Sequence, residues 1–370
     1  MLHVIILAGG SGTRLWPASR INKPKHLLAF EGRQTLLETT LHRAAGLAPP
    51  EQTWIITSQA QAKLVADSLA HSEIRHFAPQ HIWAEPVARN TAASIGWAAL
   101  KLRHIDPDAV MVVLPADHII KPAATFCETV QSAAEIVEKS PEMLVTLGIK
   151  PTFPALVYGY IKRGEALKGT NSAYHVRQFC EKPMEELAKQ FYESGEYYWN
   201  AGIFVWKAGT ILDLIEQFEP EIGQSLRQIE PALGTAEEKS ETDSAFQSMK
   251  SISIDYAVME RAENVAVLEA SFDWNDVGTW TSLDRLYAEQ SDSQGNLAIG
   301  SELLAINSTG CTVRCDDANH LLAIVGLDDI VVIQTADATL IARKEQEESV
   351  RRIAEELRKR NADRGDARWS

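Results

Sequence analysis

For the first 150 positions the chain alternates between two hydrophobic textures. Short apolar runs at 4–7, 53–57, 110–114 and 144–149 read as buried strands, and the stretches 35–45, 61–69, 90–104 and 126–139 carry apolar residues at helical spacing. Strands that alternate with helices predict an α/β fold with a mostly parallel or mixed sheet and helices on both faces. From 157 to 268 the texture loosens, with strands expected at 157–164, 175–180, 202–206 and 265–268 and helices at 184–194, 211–218, 222–229 and 254–261. The stretch 234–250 is polar and acidic and reads as an irregular helical excursion; 273–280 reads as a loop entering a helix. After about 291, closely spaced apolar runs at 298–299, 303–306, 312–313, 321–325, 330–333 and 339–342 are separated by Gly, Asn and Asp. They predict an all-strand coil or a small sandwich. The stretch 345–359, with Val350, Ile353 and Leu357 beneath many charges, predicts an amphipathic helix before a frayed tail at 361–370. Two domains follow, 1–290 and a small β-rich domain, 291–370.

The chemistry-bearing residues lie where the predicted strands stop. The first strand runs into Ala8, Gly9, Gly10, Ser11, Gly12, Thr13 and Arg14, a turn whose backbone N–H groups could face an oxyanion, with Lys25 not far behind. The spacing is neither the dinucleotide fingerprint nor a Walker A loop, and a tight strand-to-helix turn without a ligand is the simpler alternative. Asp117 follows the strand at 110–114, at the carboxyl end where open α/β sheets bind ligands. If the fold brings Asp276 to it, the two carboxylates could share a divalent cation, since magnesium needs few protein oxygens; alone, each is an ordinary loop aspartate. Glu181–Lys182, Asn200 and Gly202 offer groups suited to hydroxyls and phosphate, and Glu85, Asn90 and Thr91 suit the polar edge of a base or simply a capped helix start. No GxSxG elbow, HExxH helix or CxxC pair occurs.

Composition narrows the partners. A net charge of -14 over 370 residues argues against nucleic acid, and no apolar run approaches a membrane span. Four scattered cysteines and the lack of a signal-like N-terminus predict core thiols in a cytoplasmic protein.

Seven blocks in family order carry a resemblance: LAGGSGTRLWPASRINKPK, EPVARNTAA, PADH, FCEKP, WNAGIFVW, SIDYAVME and DVGTW. Together they resemble the nucleotide-sugar pyrophosphorylases, and within them the mannose-1-phosphate guanylyltransferases. The resemblance implies GMP transfer from GTP to mannose 1-phosphate, giving GDP-mannose and pyrophosphate, with Mg2+ as cofactor. It implies that Arg14, Lys25 and Asp117 carry catalysis, that Leu7, Ala8, Gly9, Gly10, Ser11, Gly12 and Thr13 border the nucleotide, and that Glu85, Asn90 and Thr91 lie near guanine. By the same resemblance Gly159, Glu181, Lys182, Asn200, Gly202, Asp255 and Tyr256 surround the sugar phosphate, and Asp117 and Asp276 hold the metal. Ala93 departs from the proline that many relatives carry there and removes no functional group. The tail domain resembles a short left-handed β-helix, a homodimer is compatible with the family, and only the transferase reaction is expected, without a following isomerase domain. Another hexose 1-phosphate or nucleotide in the same chemistry, or a non-catalytic regulatory homologue, are the alternatives.

Overall fold

The computed structural model describes residues 1–10, 12–74, 77–170 and 172–364. Its contacts group into two compact units, the first Met1–Gly9, Glu38–Ala116 and Ile120–Trp274, the second Gly10–Leu37, Asp117–Ile119 and Asn275–Ser370.

The first unit is built on one mixed sheet. Its strands are β1 (Leu2–Leu7), β2 (Thr53–Ser58), β3 (Ile82–Glu85) and β4 (Val110–Pro115), then, after the short β5 (Ile119–Lys121), β6 (Leu144–Ile149), β7 (Tyr160–Ala166), β8 (Ala173–Cys180), β9 (Tyr197–Lys207) and β10 (Val265–Glu269); the short β11 (Asp273–Asn275) comes next in the chain. The order across the sheet is β3-β2-β1-β4-β9-β6-β10-β8-β7. β3, β2, β1 and β4 run parallel, with Leu2 opposite Val110 and Leu7 opposite Pro115. The long β9 enters antiparallel between β4 and β6, so the sheet is mixed because a strand from residue 197 onward splits the parallel set. Continuous burial along β4 and β6 fits strands covered on both faces.

Helices α1 (Leu36–Ala44), α2 (Gln59–Ala70), α3 (Asn90–Ile105), α4 (Ala123–Lys139), α5 (Glu185–Ser194), α6 (Ala208–Phe218), α7 (Pro220–Ile229) and α8 (Glu238–Ser248) accompany these strands. α3 is buried from Ala92 to Leu100 and at Leu102, which its small apolar residues allow. At Gly96 a Cβ would sit 2.8 Å from Leu226 Cδ1 of α7, so the glycine lets the two helices approach. The helix expected at 254–261 is instead one turn of π-helix, Asp255–Met259, a form that recurs at functional sites.

The second unit holds a coil of parallel strands. β12 (Leu297–Ile299), β14 (Thr312–Cys315) and β16 (Ile330–Gln334) pair in parallel, β17 (Thr339–Arg343) closes that sheet antiparallel, and β13 (Glu302–Ile306) pairs in parallel with β15 (Leu321–Val325). From β12 to β16 consecutive strands therefore alternate between two sheets, which is a coil rather than a sandwich. The glycine-rich loop packs into this unit: Leu15, Trp16, Leu28 and Phe30 share a core with Val277, Trp280, Leu297, Val331 and Leu340. Trp280, fully buried, donates from Nε1 to the carbonyl of Trp16 at 3.0 Å. α9 (Ser282–Leu286) follows, and α10 (Val350–Arg364) ends the described chain. α10 buries Val350 and Ala354 and half-buries Leu357, whereas Ile353 is exposed. The apolar stripe is thus i, i+4, i+7, and Ile353 falls about 100° away from Ala354 around the helix.

Candidate active site

In the second unit the site is built around Lys25. Pro24 leads into a single 3-10 turn, Lys25–Leu27, in which all three residues are buried. Lys25 Nζ lies 2.7 Å from Asp117 Oδ2 and donates to the backbone carbonyl of Asp276 at 2.5 Å. One ammonium therefore touches both motifs on which the sequence placed a shared cation. A buried ammonium without a counter-charge is costly, so the Asp117 contact is what makes this position tolerable. Burial opposes ionisation of Asp117, but the Lys25 ammonium, with His118 as a lesser contributor, outweighs it and holds the carboxyl below its ordinary range. Beside them burial pushes His26 down to about 4, so its ring is neutral at neutral pH, and its Nε2 has no hydrogen-bond partner among the described residues.

The glycines divide into two kinds. Gly12 has φ +61°, and a Cβ there would lie 2.5 Å from Lys25 Cβ and 2.9 Å from Ser19 Oγ, so a side chain at Gly12 would displace Lys25. Among the described residues nothing lies within 4 Å of the point where a Cβ of Gly9 or Gly10 would stand, so no described neighbour requires them to be bare. Ser11 lies outside the described residues. Leu7 and Ala8 are the strand end: the Leu7 carbonyl accepts from Ala116, and Ala8 donates to Ile56 and accepts from the Thr57 hydroxyl. Thr13 opens a 3-10 turn that carries Arg14, whose Nε is 3.1 Å from Glu348 Oε2.

Around Asp276 the backbone is held in a costly state. Val277 has φ +46°, which is rare for a β-branched residue, and its N–H donates to Asn275 Oδ1 at 2.8 Å. A Cβ on Gly278 would sit 2.7 Å from Asp276 Oδ2, so the glycine leaves room for that carboxylate. No group of three or more His, Cys, Asp or Glu residues is arranged to hold a metal among the described residues. Magnesium does not need one, since one or two carboxylates with water and phosphate satisfy it, and Asp117 and Asp276 are donors of that kind.

The first unit contains two polar clusters. At the end of β3, burial drives the Glu85 carboxyl up to about 7, and its Oε1 has no hydrogen-bond partner among the described residues. Asn90, with φ +64°, accepts the Thr91 N–H on its own Oδ1 at 2.8 Å. The Thr91 hydroxyl accepts from the N–H of Ile254 at 2.8 Å, so this side chain ties α3 to the segment before Asp255.

The second cluster centres on Asn200 in β9. Its Oδ1 accepts from the Thr146 hydroxyl and the Gly202 N–H, both at 3.1 Å, and its Nδ2 donates to Asp255 Oδ1 at 2.9 Å. Burial, reinforced by the neighbouring Glu181 carboxylate, pushes Asp255 up to about 6. Glu181 pairs with Lys182 at 2.8 Å, and its N–H donates to Glu260 Oε1 at 2.9 Å. A Cβ on Gly159 would collide with Glu181 Oε2, and Gly202 has φ +66°. Tyr256 is 45% exposed, and Lys182 beside it is exposed as well. The structure thus gathers Gly159, Glu181, Lys182, Asn200, Gly202 and Asp255 into one cluster. Thr146 and Glu260 belong to it too, although the sequence does not single them out; Glu260 ends the SIDYAVME block, and that is the available signal.

A mixed sheet with a glycine loop after β1 and charged groups at strand ends defines a nucleotidyltransferase, and the Nucleotidyl transferase family model matches residues 3–293 while a MannoseP isomerase/GMP-like beta-helix domain model matches 301–357. Over 366 residues the chain is 37% identical to a mannose-1-phosphate guanylyltransferase of Salmonella montevideo, covering 98% of this chain and 75% of that one. It is 36% identical to the mannose-1-phosphate guanylyltransferase of Escherichia coli strain K12, covering 96% and 73%. A crystal structure from Thermus thermophilus, described as a mannose-1-phosphate geranyltransferase, superposes with a TM-score of 0.83 at 31% identity, covering 96% of this chain and 99% of that one. The chain belongs to the mannose-1-phosphate guanylyltransferase family. Magnesium use is the expectation for nucleotidyltransferases of this family. No helix among the described residues is long and apolar enough to cross a membrane.

Proposed function

We propose that this protein transfers GMP from GTP to α-D-mannose 1-phosphate, giving GDP-mannose and pyrophosphate, and that Lys25, Arg14 and Asp117 carry the reaction. The observation that carries the assignment of residues is the contact of one buried ammonium with both Asp117 and Asp276. The sugar phosphate is already an anion near neutral pH, so the chemistry asks for no general base. It asks for two anions to be aligned and for the charge on the phosphoryl oxygens to be neutralised while the sugar phosphate oxygen attacks the α phosphorus in line and pyrophosphate leaves. Lys25 and Arg14 supply positive charge for this. Gly9 and Gly10, bare with no packing reason among the described residues, leave backbone free to approach phosphate.

Asp117 and Asp276 would hold Mg2+, which when bound adds charge neutralisation on phosphate oxygens. Glu85, with a buried oxygen that has no partner among the described residues, is suited to the guanine edge, alongside Asn90 and Thr91. Glu181, Lys182, Asn200, Asp255 and Gly159 are suited to the hydroxyls and phosphate of mannose 1-phosphate, with Gly202 and Tyr256 bordering them. We assign these roles to a catalytic region over 1–290, which a β-rich region over 291–370 follows. A second copy of the chain is the partner we infer for the outer face of β13 and β15, where Leu304, Ile306, Leu321 and Val325 are exposed. Light scattering of the wild type and of Val325→Lys tests that assembly, with a monomer expected for the variant.

The reaction is tested by pyrophosphate release from a panel of GTP, ATP, UTP and dTTP crossed with mannose and glucose 1-phosphates. GTP with mannose 1-phosphate should give the highest kcat/KM; a higher value for any other pair overturns the substrate assignment. Asp117→Asn should abolish magnesium-dependent turnover in a folded protein, and a normal metal titration would remove Asp117 from that role.

A further inference from the structure

Within the second unit, the 3-10 segment Lys344–Ser349 places two adjacent carboxylates on two separate loops. Glu347 takes both donors of Thr281, the N–H on Oε2 at 3.1 Å and the hydroxyl on Oε1 at 2.8 Å, five residues beyond Asp276. Glu348 reaches the other loop, its Oε2 lying 3.1 Å from Arg14 Nε. The segment is fixed at both ends. At its first residue Lys344 Nζ pairs with Asp284 at 2.5 Å, and just after it Val350 and Ala354 are buried in the core that holds Leu15, Trp16, Val277 and Trp280. The residues flanking Arg14 and Asp276 are therefore packed against the helix that directly follows the two glutamates.

We infer that Glu348 is a positioning residue for Arg14, and that the segment near the chain's far end sets the orientation of a guanidinium some 330 positions earlier in sequence. The inference rests on the proposed role of Arg14 as a phosphate ligand. The contact is made through Nε, the inner edge of the planar fork, which leaves the Nη edge to meet an oxyanion two bonds at a time. Arg14 and Glu348 are 36% and 57% exposed, and an ion pair so exposed adds little to stability. Its consequence is instead to restrict a long, flexible side chain to one direction before phosphate arrives. Glu347, bonded twice to Thr281, keeps the segment from swinging away.

The test is a cycle of Arg14→Ala, Glu348→Ala and the double variant in the full chain, with Glu348→Gln as the conservative change. Glu348→Ala should lower kcat about tenfold, less than the about 10²-fold that complete loss of positioning can cost. The KM for mannose 1-phosphate and the thermal midpoint should stay at wild-type values. Glu348→Gln, which keeps an acceptor oxygen, should restore most of the turnover, and Glu348→Ala should cost nothing further once Arg14 is gone. Equal losses in both backgrounds overturn the inference, as does wild-type or higher turnover of Glu348→Ala beside an impaired Arg14→Ala. Wild-type turnover of Arg14→Ala removes the reading of Arg14 itself and this inference with it, so the two failures are told apart.

Discussion

Asp117 in the second unit and Asp255 in the first are both half-buried aspartates, and their carboxyls move in opposite directions. Burial raises both, yet Asp117 ends below its ordinary range because the Lys25 ammonium is 2.7 Å away, whereas Asp255 rises to about 6 because burial is unopposed by such a contact and the Glu181 carboxylate adds to it. Acid and base therefore remove different contributions. What Asp117 adds to stability is present above its ordinary value and lost as pH falls through its lowered one. What Asp255 adds is present below its ordinary value and lost as pH rises through about 6. The sign of the adjacent charge, more than burial, separates a cluster suited to neutralising phosphate from one suited to hydrogen-bonding hydroxyls.

The largest test of that contrast is Lys25→Ala. Removing the ammonium takes away both the charge proposed to act on the phosphoryl oxygens and the group that holds Asp117 ionised. We expect kcat to fall by about 10²–10³, the usual cost of one charge-stabilising group, with KM for GTP little changed. Pyrophosphate release at saturating substrates measures it, and unchanged turnover would erase the distinction between the two clusters.

Glu85 extends the comparison to stability. Its carboxyl is raised to about 7, so the folded state holds a proton that the unfolded state releases, and the cost of ionising it in the fold appears as pH rises through 7. Glu85→Gln should stabilise the protein by up to about 3 kcal/mol at pH 8, shrinking to under about 1 kcal/mol at pH 5. Preference for GTP over ATP should fall in the same variant, because the group assigned to the guanine edge has exchanged a carboxyl for an amide and with it one acceptor oxygen for an NH2 donor. Denaturant titrations at the two pH values decide the first part; a constant difference between variants would show that Glu85 is not held protonated by burial.

Asp255→Asn should raise KM for mannose 1-phosphate about tenfold, the worth of one hydrogen bond to a charged group, and leave kcat nearly unchanged. A fall in kcat with KM preserved would place Asp255 with the phosphoryl chemistry and blur the line drawn between the clusters.

The strands at 4–7, 110–114 and 144–149 are legible because an apolar run bounded by breakers has few other solutions, and glycines and aspartates at their ends stand out for the same reason. Mixed strand direction is harder to see, since nothing local in 197–207 tells that β9 enters antiparallel between β4 and β6. After 291 a coil and a sandwich read alike, because the two differ in which strands pair, not in their hydrophobic pattern. The stripe expected on α10 is misplaced by one residue: Ile353 is the larger apolar side chain, but Ala354 keeps the i, i+4, i+7 spacing and is the one buried. Glu347 and Glu348 are hidden among the charges of 345–359, where only the fold distinguishes a loop-binding carboxylate from a solvated one. The same holds for Thr146, a strand residue with no motif around it, whose hydroxyl is fixed on Asn200 at 3.1 Å.

The smallest expected effects give the sharpest separation, because the two clusters contain equivalent glycines. Gly159 is bare where a Cβ would meet Glu181 Oε2, and Gly278 is bare where a Cβ would meet Asp276 Oδ2 at 2.7 Å. Neither glycine has a positive φ, so alanine can adopt the backbone at both, and in each case the nearest atom is the end of an acidic side chain, with Asn200 Cβ at 3.3 Å having to give slightly as well beside Gly159. Folding should therefore be nearly unaffected, and the displaced carboxylate should report its own function. Gly159→Ala should raise KM for mannose 1-phosphate a few-fold, roughly what one weakened hydrogen bond costs, and leave the magnesium requirement alone. Gly278→Ala should shift the magnesium titration to higher concentration by a similar factor and leave the sugar KM alone. Metal and sugar titrations of the two variants side by side measure this, and if both substitutions moved both titrations together, the carboxylates at 181 and 276 would not be serving separate partners.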